Sequence, residues 1–231
     1  ILTYTFDLLF DIYSELSWTP KEAVISILKN NIYGLEIDDR EGQLASFALV
    51  MKAREKFSRL FKTLETENIK LNTISLKDSK SISKFTEEQL KMNNLNELYY
   101  LIDIFKNAKE IGSIVKIKEI DFQKLEEQVR KYDEINHFDY IEIQDLLNML
   151  IRQAKILLEK YDVTVENPPY MGSGRMNDLL KSYIEDEYKD YKADLFSTFF
   201  KKSCDMTKPN GYLGFMSPFV WMFIQSYEML R

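Results

Sequence analysis

Apolar residues fall at positions 1, 2, 4, 6, 8, 9, 10, 12, 13 and 16, a spacing that predicts a helix over 1–16 with a broad buried face. Thr19-Pro20-Lys21-Glu22 reads as a capping box with proline at the first helical position, so a second helix starts there and ends near Asn30-Asn31. Residues 32–37, Ile-Tyr-Gly-Leu-Glu-Ile, read as a strand. Asp38-Asp39 can cap a long helix over about 41–64, with the apolar stripe Leu44, Phe47, Ala48, Met51, Phe57 and Leu60. A further strand is predicted over 69–75, followed by a polar loop through Lys84.

The stretch 85–160 is mostly helical in pattern. Residues 95–109 are amphipathic, 112–117 read as an extended excursion, 121–132 carry charge on most faces and should pack weakly, and 140–159 form a long helix. That helix feeds a strand over 161–166, in which Val163 and Val165 alternate with Thr164 as in a short buried strand. Pro168 and Pro169 end it, since neither has an N–H for a ladder. Gly172-Ser-Gly174 reads as a mobile loop, 176–188 and 193–206 as helices, and 208–211 as a turn. Residues 211–217 read as a strand ended by Pro218, and 219–231 as a helix with Trp221 and Phe223 in the core. The expected fold is α/β, with a mostly parallel central sheet, helices on both faces, 211–217 beside 161–166, and a gap between 161–166 and 31–37 where a first strand is missing.

Composition is that of a globular protein, 45% hydrophobic and 29% charged. No apolar run reaches membrane length and no signal-peptide pattern occurs. Cys204 is the single cysteine, which excludes an intramolecular disulfide and fits a reducing cytoplasm. His137, the single histidine, lies in a polar stretch that reads as surface, and no His/Cys cluster exists for zinc. The net charge of −6 gives little for DNA phosphates to bind. With a start and an end inside apolar helical patterns, it reads as a fragment whose DNA-gripping part lies elsewhere.

Asn167-Pro168-Pro169-Tyr170 places an amide at the carboxyl end of a strand, where open α/β sheets bind ligands. An exocyclic base amine is a poor nucleophile because its lone pair is delocalised into the ring. The Asn167 oxygen and the Pro168 carbonyl can each accept one of its N–H groups and favour a tetrahedral nitrogen. Tyr170 offers a flat face on which a flipped base can stack. A Pro-rich turn is the plain reading of the tetrapeptide, and its place after a clean strand favours chemistry. The second stretch is Glu36 at the end of its strand, where two carboxylate oxygens match a ribose diol. Flanked by Leu35 and Ile37, this carboxylate needs a partner. Asp38 and Asp39 suit helix capping better than binding.

The run Asn167-Pro-Pro-Tyr-Met-Gly-Ser-Gly-Arg-Met-Asn177, with Ala108-Lys-Glu-Ile-Gly-Ser113, resembles the adenine-specific DNA methyltransferases of bacterial phage-exclusion (BREX-type) and restriction systems. The resemblance implies a Rossmann-like methyltransferase fold that takes S-adenosylmethionine as methyl donor and double-stranded DNA as partner, with defence-system subunits as further possible partners. It places Asn167, Pro168, Pro169 and Tyr170 at the target amine. It places Glu36 on the cofactor ribose, Ile37 against its adenine, Asp38 nearby and Phe196, in Asp194-Leu-Phe196, at the pocket border, although core packing explains Phe196 equally. Residues 85–160 would be a helical insert. The family's Gly-rich first motif and its target-recognition domain are expected outside residues 1–231, so the chain alone should be inactive. An acidic residue after the 69–75 strand finds no clean match among Ser75, Lys77 and Asp78. A cytosine-N4, RNA or glutamine-amide methyltransferase, or a non-catalytic DNA-sensing subunit, stays open as an alternative.

Overall fold

The computed structural model describes residues 1–82, 84–135 and 140–231, so His137 lies outside the described residues. The chain forms two compact units, Ile1–Leu76 and Lys77–Arg231.

In the first unit, α1 (Leu2–Glu15) precedes α2 (Pro20–Ser26), which widens into a π-helical turn, Ile27–Asn31. The capping box is present: the Glu22 N–H donates to Thr19 Oγ1 at 3.3 Å and the Thr19 N–H to Glu22 Oε2 at 3.1 Å. Strand β1 (Tyr33–Glu36), helices α3 (Asp39–Lys56) and α4 (Leu60–Thr66), and strand β2 (Asn72–Ser75) complete the unit. β1 and β2 pair in parallel, Tyr33 opposite Asn72 through Glu36 opposite Ser75. Phe6, Val24, Ile27, Leu28, Ile32, Leu49, Ala53 and Leu60 form the core.

Two expectations fail here for local reasons. The single helix over 41–64 is broken at Phe57, which is extended (φ −139°, ψ 98°) and packs against the core. The buried stripe of α3 is not Leu44, Phe47 and Met51, which are exposed, but Gly42, Leu49 and Ala53. Both sets recur at helical spacing, so periodicity alone cannot choose between them. Side-chain size does: a Cβ on Gly42 would lie 2.2 Å from Ser75 Oγ, and Ser46 Oγ shares a 2.8 Å hydrogen bond with Thr73 Oγ1. Only the small-residue face can approach the strands this closely.

The second unit holds α5 (Lys84–Met92), α6 (Asn96–Ile104), α7 (Ala108–Ile111), α8 (Phe122–Ile135) and α9 (Tyr140–Leu158). Strand β3 (Tyr161–Glu166), α10 (Asp178–Glu187), α11 (Leu195–Met206) and β4 (Thr207–Phe215) complete it. Helix α8 packs well despite its charges: Leu125 is fully buried, and buried Gln128 Oε1 accepts the Leu98 N–H at 3.0 Å. Gln153 of α9 pairs with both main-chain groups of Lys77 at 2.9 Å. The 112–117 stretch begins as a 3-10 turn, Gly112–Ile114, and side chains from later in the chain hold its carbonyls. Tyr188 Oη donates to the Ile114 carbonyl at 2.7 Å and Lys202 Nζ to the Val115 carbonyl at 2.9 Å.

β3 and β4 pair in parallel, as expected, with α10 and α11 in the crossover. The expected turn at 208–211 lies inside β4 as a bulge. Tyr161 faces Thr207 but Val163 faces Tyr212, and Asn210 takes up φ 65° within the surplus residues. The strand is not buried: Val163 and Val165 are exposed, while Thr164 and Glu166 turn inward. Among the described residues the expected gap between 31–37 and 161–166 is kept: neither strand pairs with the other. The strands form two separate parallel pairs, one in each unit. After Pro218 the expected helix is two 3-10 turns, Phe219–Met222 and Gln225–Leu230. Arg231 Nη1 donates to the carbonyls of Trp221, Met222 and Ile224 where regular helical bonding fails. Trp221 packs near Phe200, but Phe223 is exposed and not core. Among the described residues no helix is long and apolar enough to cross a membrane.

Gly42→Ala should destabilise the first unit by about 1–3 kcal/mol through overpacking, although alanine is the better helix former. Rotating the Ser75 hydroxyl away still leaves Ser75 Cβ at 3.3 Å and Glu36 Cβ at 3.4 Å. In denaturant melts, Ser75→Ala in the same chain should recover only part of the loss, because Ser75 Cβ and Glu36 Cβ still crowd the new methyl group. A Gly42→Ala protein more stable than wild type would contradict this packing.

Candidate active site

The corner after β3 is built without main-chain donors at Pro168 and Pro169, so other groups must fix it. The Glu166 carbonyl accepts the Met216 N–H at 3.1 Å, which carries the parallel pairing one residue past β4. Tyr170 Oη donates back to the Met216 carbonyl at 3.1 Å and lies 3.5 Å from Asn167 Oδ1, a long contact. Met216 thus holds the chain on both sides of the two prolines. Pro168 is buried, while Asn167 and Pro169 are exposed. Tyr170 is 52% exposed, and its ring stands edge-on to Phe196 at 6.4 Å. Phe196 is fully buried and also meets the Tyr227 ring at 5.3 Å, so it takes the core side of its two readings.

The loop beyond Tyr170 is tied down rather than loose. Asp194 Oδ1 accepts the Met171 N–H at 3.0 Å and the Phe196 N–H at 3.1 Å, so one carboxylate caps α11 and holds the loop. Gly172 pairs with Asp194 in an antiparallel bridge, and residues 173–175 make a 3-10 turn. Sequence reasoning noted Asp194 only as part of a motif. Its helix-start position, one residue before Leu195, was the signal for the clamp.

In the first unit, Glu36 closes β1. Its Oε1 accepts the N–H groups of Ile37 at 2.7 Å and Asp38 at 3.2 Å. Asp38 caps α3 as expected, accepting from the N–H groups of Arg40 at 2.7 Å and Glu41 at 3.0 Å. Ile37 is exposed beside Glu36. Asn167, Pro168, Pro169, Tyr170 and Phe196 therefore gather in one unit, and Glu36, Ile37 and Asp38 in the other.

The family described as Eco57I restriction-modification methylase matches residues 30–231. The chain belongs to this family. Its relatives include the adenine-specific methyltransferase BrxX of Escherichia coli O9:H4 (strain HS), 32% identical over all of this chain and 21% of that protein. The adenine-specific methyltransferase PglX of Lacticaseibacillus casei (strain Zhang) is 32% identical, over all of this chain and 20% of its own length. The type II restriction enzyme and methyltransferase RM.Eco57I of Escherichia coli is 31% identical over 31% of the chain. The chain thus spans about a fifth of the length of the first two. The resemblance read from the Asn-Pro-Pro-Tyr stretch is borne out.

One residue of this corner escaped sequence reasoning. Glu166, just before Asn167, turns inward and accepts the Ser203 hydroxyl of α11 at 2.7 Å. Like Glu36, it is a carboxylate at the end of a short strand, and that position was the signal available in the sequence. Burial pushes the Glu166 carboxyl up to about 7, against the pull of the Ser203 hydrogen bond.

The folded chain therefore keeps a proton that the unfolded chain releases between its ordinary value of 4.5 and about 7. Stability is lost as pH rises through that window, and the full cost is present above it. Glu166→Gln keeps an acceptor for Ser203 and removes the charge. It should stabilise the protein at pH 8 by up to about 3 kcal/mol and give no such advantage at pH 4. Urea melts of both proteins at the two pH values check this. An equal difference at both would show that Glu166 ionisation is not the cause.

Proposed function

We propose that this chain is part of the catalytic domain of an adenine-N6 DNA methyltransferase, built on a Rossmann-like fold. The observation that carries the reading is the placement of Asn167: an exposed amide at the carboxyl end of a parallel strand, beside a fixed Tyr170 ring, in a chain of a methylase family. The substrate is an adenine turned out of double-stranded DNA. Residues 85–160 are the helical insert. Recognition of the DNA sequence belongs to the remainder of a polypeptide of its relatives' length, acting in the cytoplasm in restriction-modification or phage defence, with companion subunits.

Asn167 Oδ1 and the Pro168 carbonyl accept the two N–H groups of the target amine. Both bonds strengthen as the nitrogen becomes tetrahedral, so they favour the transition state over the bound base. Proline supplies a carbonyl and no competing N–H at this point. Tyr170 stacks on the base, and its hydroxyl bond to Met216 with Phe196 behind it keeps the ring from turning. The amine proton becomes acidic as positive charge develops, so no strong base is required.

The residues at β1 fit S-adenosylmethionine, which supplies an electrophilic methyl group on a sulfonium. Glu36 Oε1 is held by two main-chain N–H groups, while Oε2 makes no hydrogen bond among the described residues and suits a ribose hydroxyl. Ile37 offers apolar surface for the cofactor adenine, and Asp38 fixes the turn between them through its cap.

In a polypeptide of full length, Asn167→Ala should abolish methylation and leave cofactor affinity nearly intact. The lost hydrogen bond is worth about 1.5–3 kcal/mol, a tenfold to hundredfold effect. Misplacement of the base can add a further factor of about a hundred. Glu36→Ala should weaken cofactor binding and act less at saturating cofactor. Methyl-transfer assays with cofactor titration separate the two, and full activity of Asn167→Ala would sink the assignment.

A further inference from the structure

Glu166 stands at a junction that the proposed chemistry does not use. Its side chain faces α11, and on the strand the next residue is Asn167. Its carbonyl bonds to the Met216 N–H, while Tyr170 bonds to the carbonyl of the same residue. The inward row of β3 is polar: Thr164 Oγ1 meets Thr207 Oγ1 at 2.8 Å, and Glu166 Oε2 meets Ser203 Oγ at 2.7 Å. These two contacts set how far β3 lies from the end of α11. The second is the one next to the proposed catalytic amide.

We propose that Glu166 is a positioning residue for Asn167, its bond to Ser203 fixing the end of β3 against α11. The proposal rests on the reading of Asn167 as the acceptor of the target amine. Glu166 does not touch the substrate itself, because strand alternation turns it away from its neighbour.

The groups around Glu166 make this contact sensitive to charge. Ser203 is its hydrogen-bond partner from α11, and Phe215 stands opposite it on β4. On α11 the charges beside Ser203 are buried Lys202, whose Nζ donates to the Val115 carbonyl at 2.9 Å, and the Lys201–Asp205 pair; on the strand pair, Lys208 Nζ lies 2.9 Å from Asp162 at the other end. Among the described residues no lysine or arginine pairs with Glu166. An ionised carboxylate there has one hydroxyl donor and is otherwise shielded from water by burial, so it draws toward water and carries the strand end with it. The neutral carboxyl keeps the corner in place.

The test uses the full-length polypeptide as wild type, Glu166→Gln, Ser203→Ala and Asn167→Ala. Methyl transfer is measured at saturating cofactor and DNA across pH 6 to 9. Wild-type kcat should fall with rising pH, approaching tenfold per unit above the titration. Glu166→Gln should flatten that fall, and Ser203→Ala should lower kcat at every pH with KM for cofactor unchanged. A Glu166→Gln profile that tracks wild type overturns the inference, as does a Ser203→Ala loss confined to KM. Asn167→Ala keeps the two levels apart. If it is inactive while Glu166→Gln tracks wild type, only the positioning role fails. If it is fully active, the underlying reading fails and the inference with it.

Discussion

Two consecutive prolines leave the chain without main-chain donors where it must be held most firmly. Everything around the corner answers that constraint. Met216 supplies an N–H to the residue before Asn167 and a carbonyl to the tyrosine after the prolines. Asp194 then fastens the next two residues to the start of α11. Three elements that are distant in sequence therefore meet on one short loop. The result is an exposed amide on a backbone with few ways to move, which is what orientation of a weak nucleophile requires.

The β3–β4 pair inverts the usual division of a strand. Its inward row is polar, with Thr164 and Glu166 bonded to Thr207 and Ser203, and its outward row is Val163 and Val165. Side-chain bonds of this kind set spacing more sharply than apolar contact, which tolerates small slips. Burying Glu166 carries an energetic cost that apolar packing would avoid. Such a cost is common where a site is held in one geometry.

Much of this was legible in the residues. The Thr19 box, the Asp38 cap and the strand ends at Glu36 and Glu166 come from capping chemistry, alternation and proline, while the parallel pairing of β3 with β4 is what the family resemblance implied. What was not legible came from tertiary choice. The buried face of α3 was decided by Gly42 and Ser46 against the strands, since larger residues at the same period were available. The break at Phe57 and the bulge around Asn210 arise from packing and register that no local pattern encodes. The candidate residues Asn167, in one unit, and Glu36, in the other, were visible because each ends a strand. Glu166, Ser203 and Met216 act through one another across 37 to 50 residues of chain, so only the fold brings them together.

The central claim is that Asn167 and its setting direct a methyl group to the amine of adenine. The direct measurement is transfer of labelled methyl from S-adenosylmethionine to duplex DNA by a polypeptide of full length carrying this chain, with hydrolysis of the product to nucleosides. The account predicts label in N6-methyladenine alone. Label in N4-methylcytosine, or in protein with none in DNA, would contradict it.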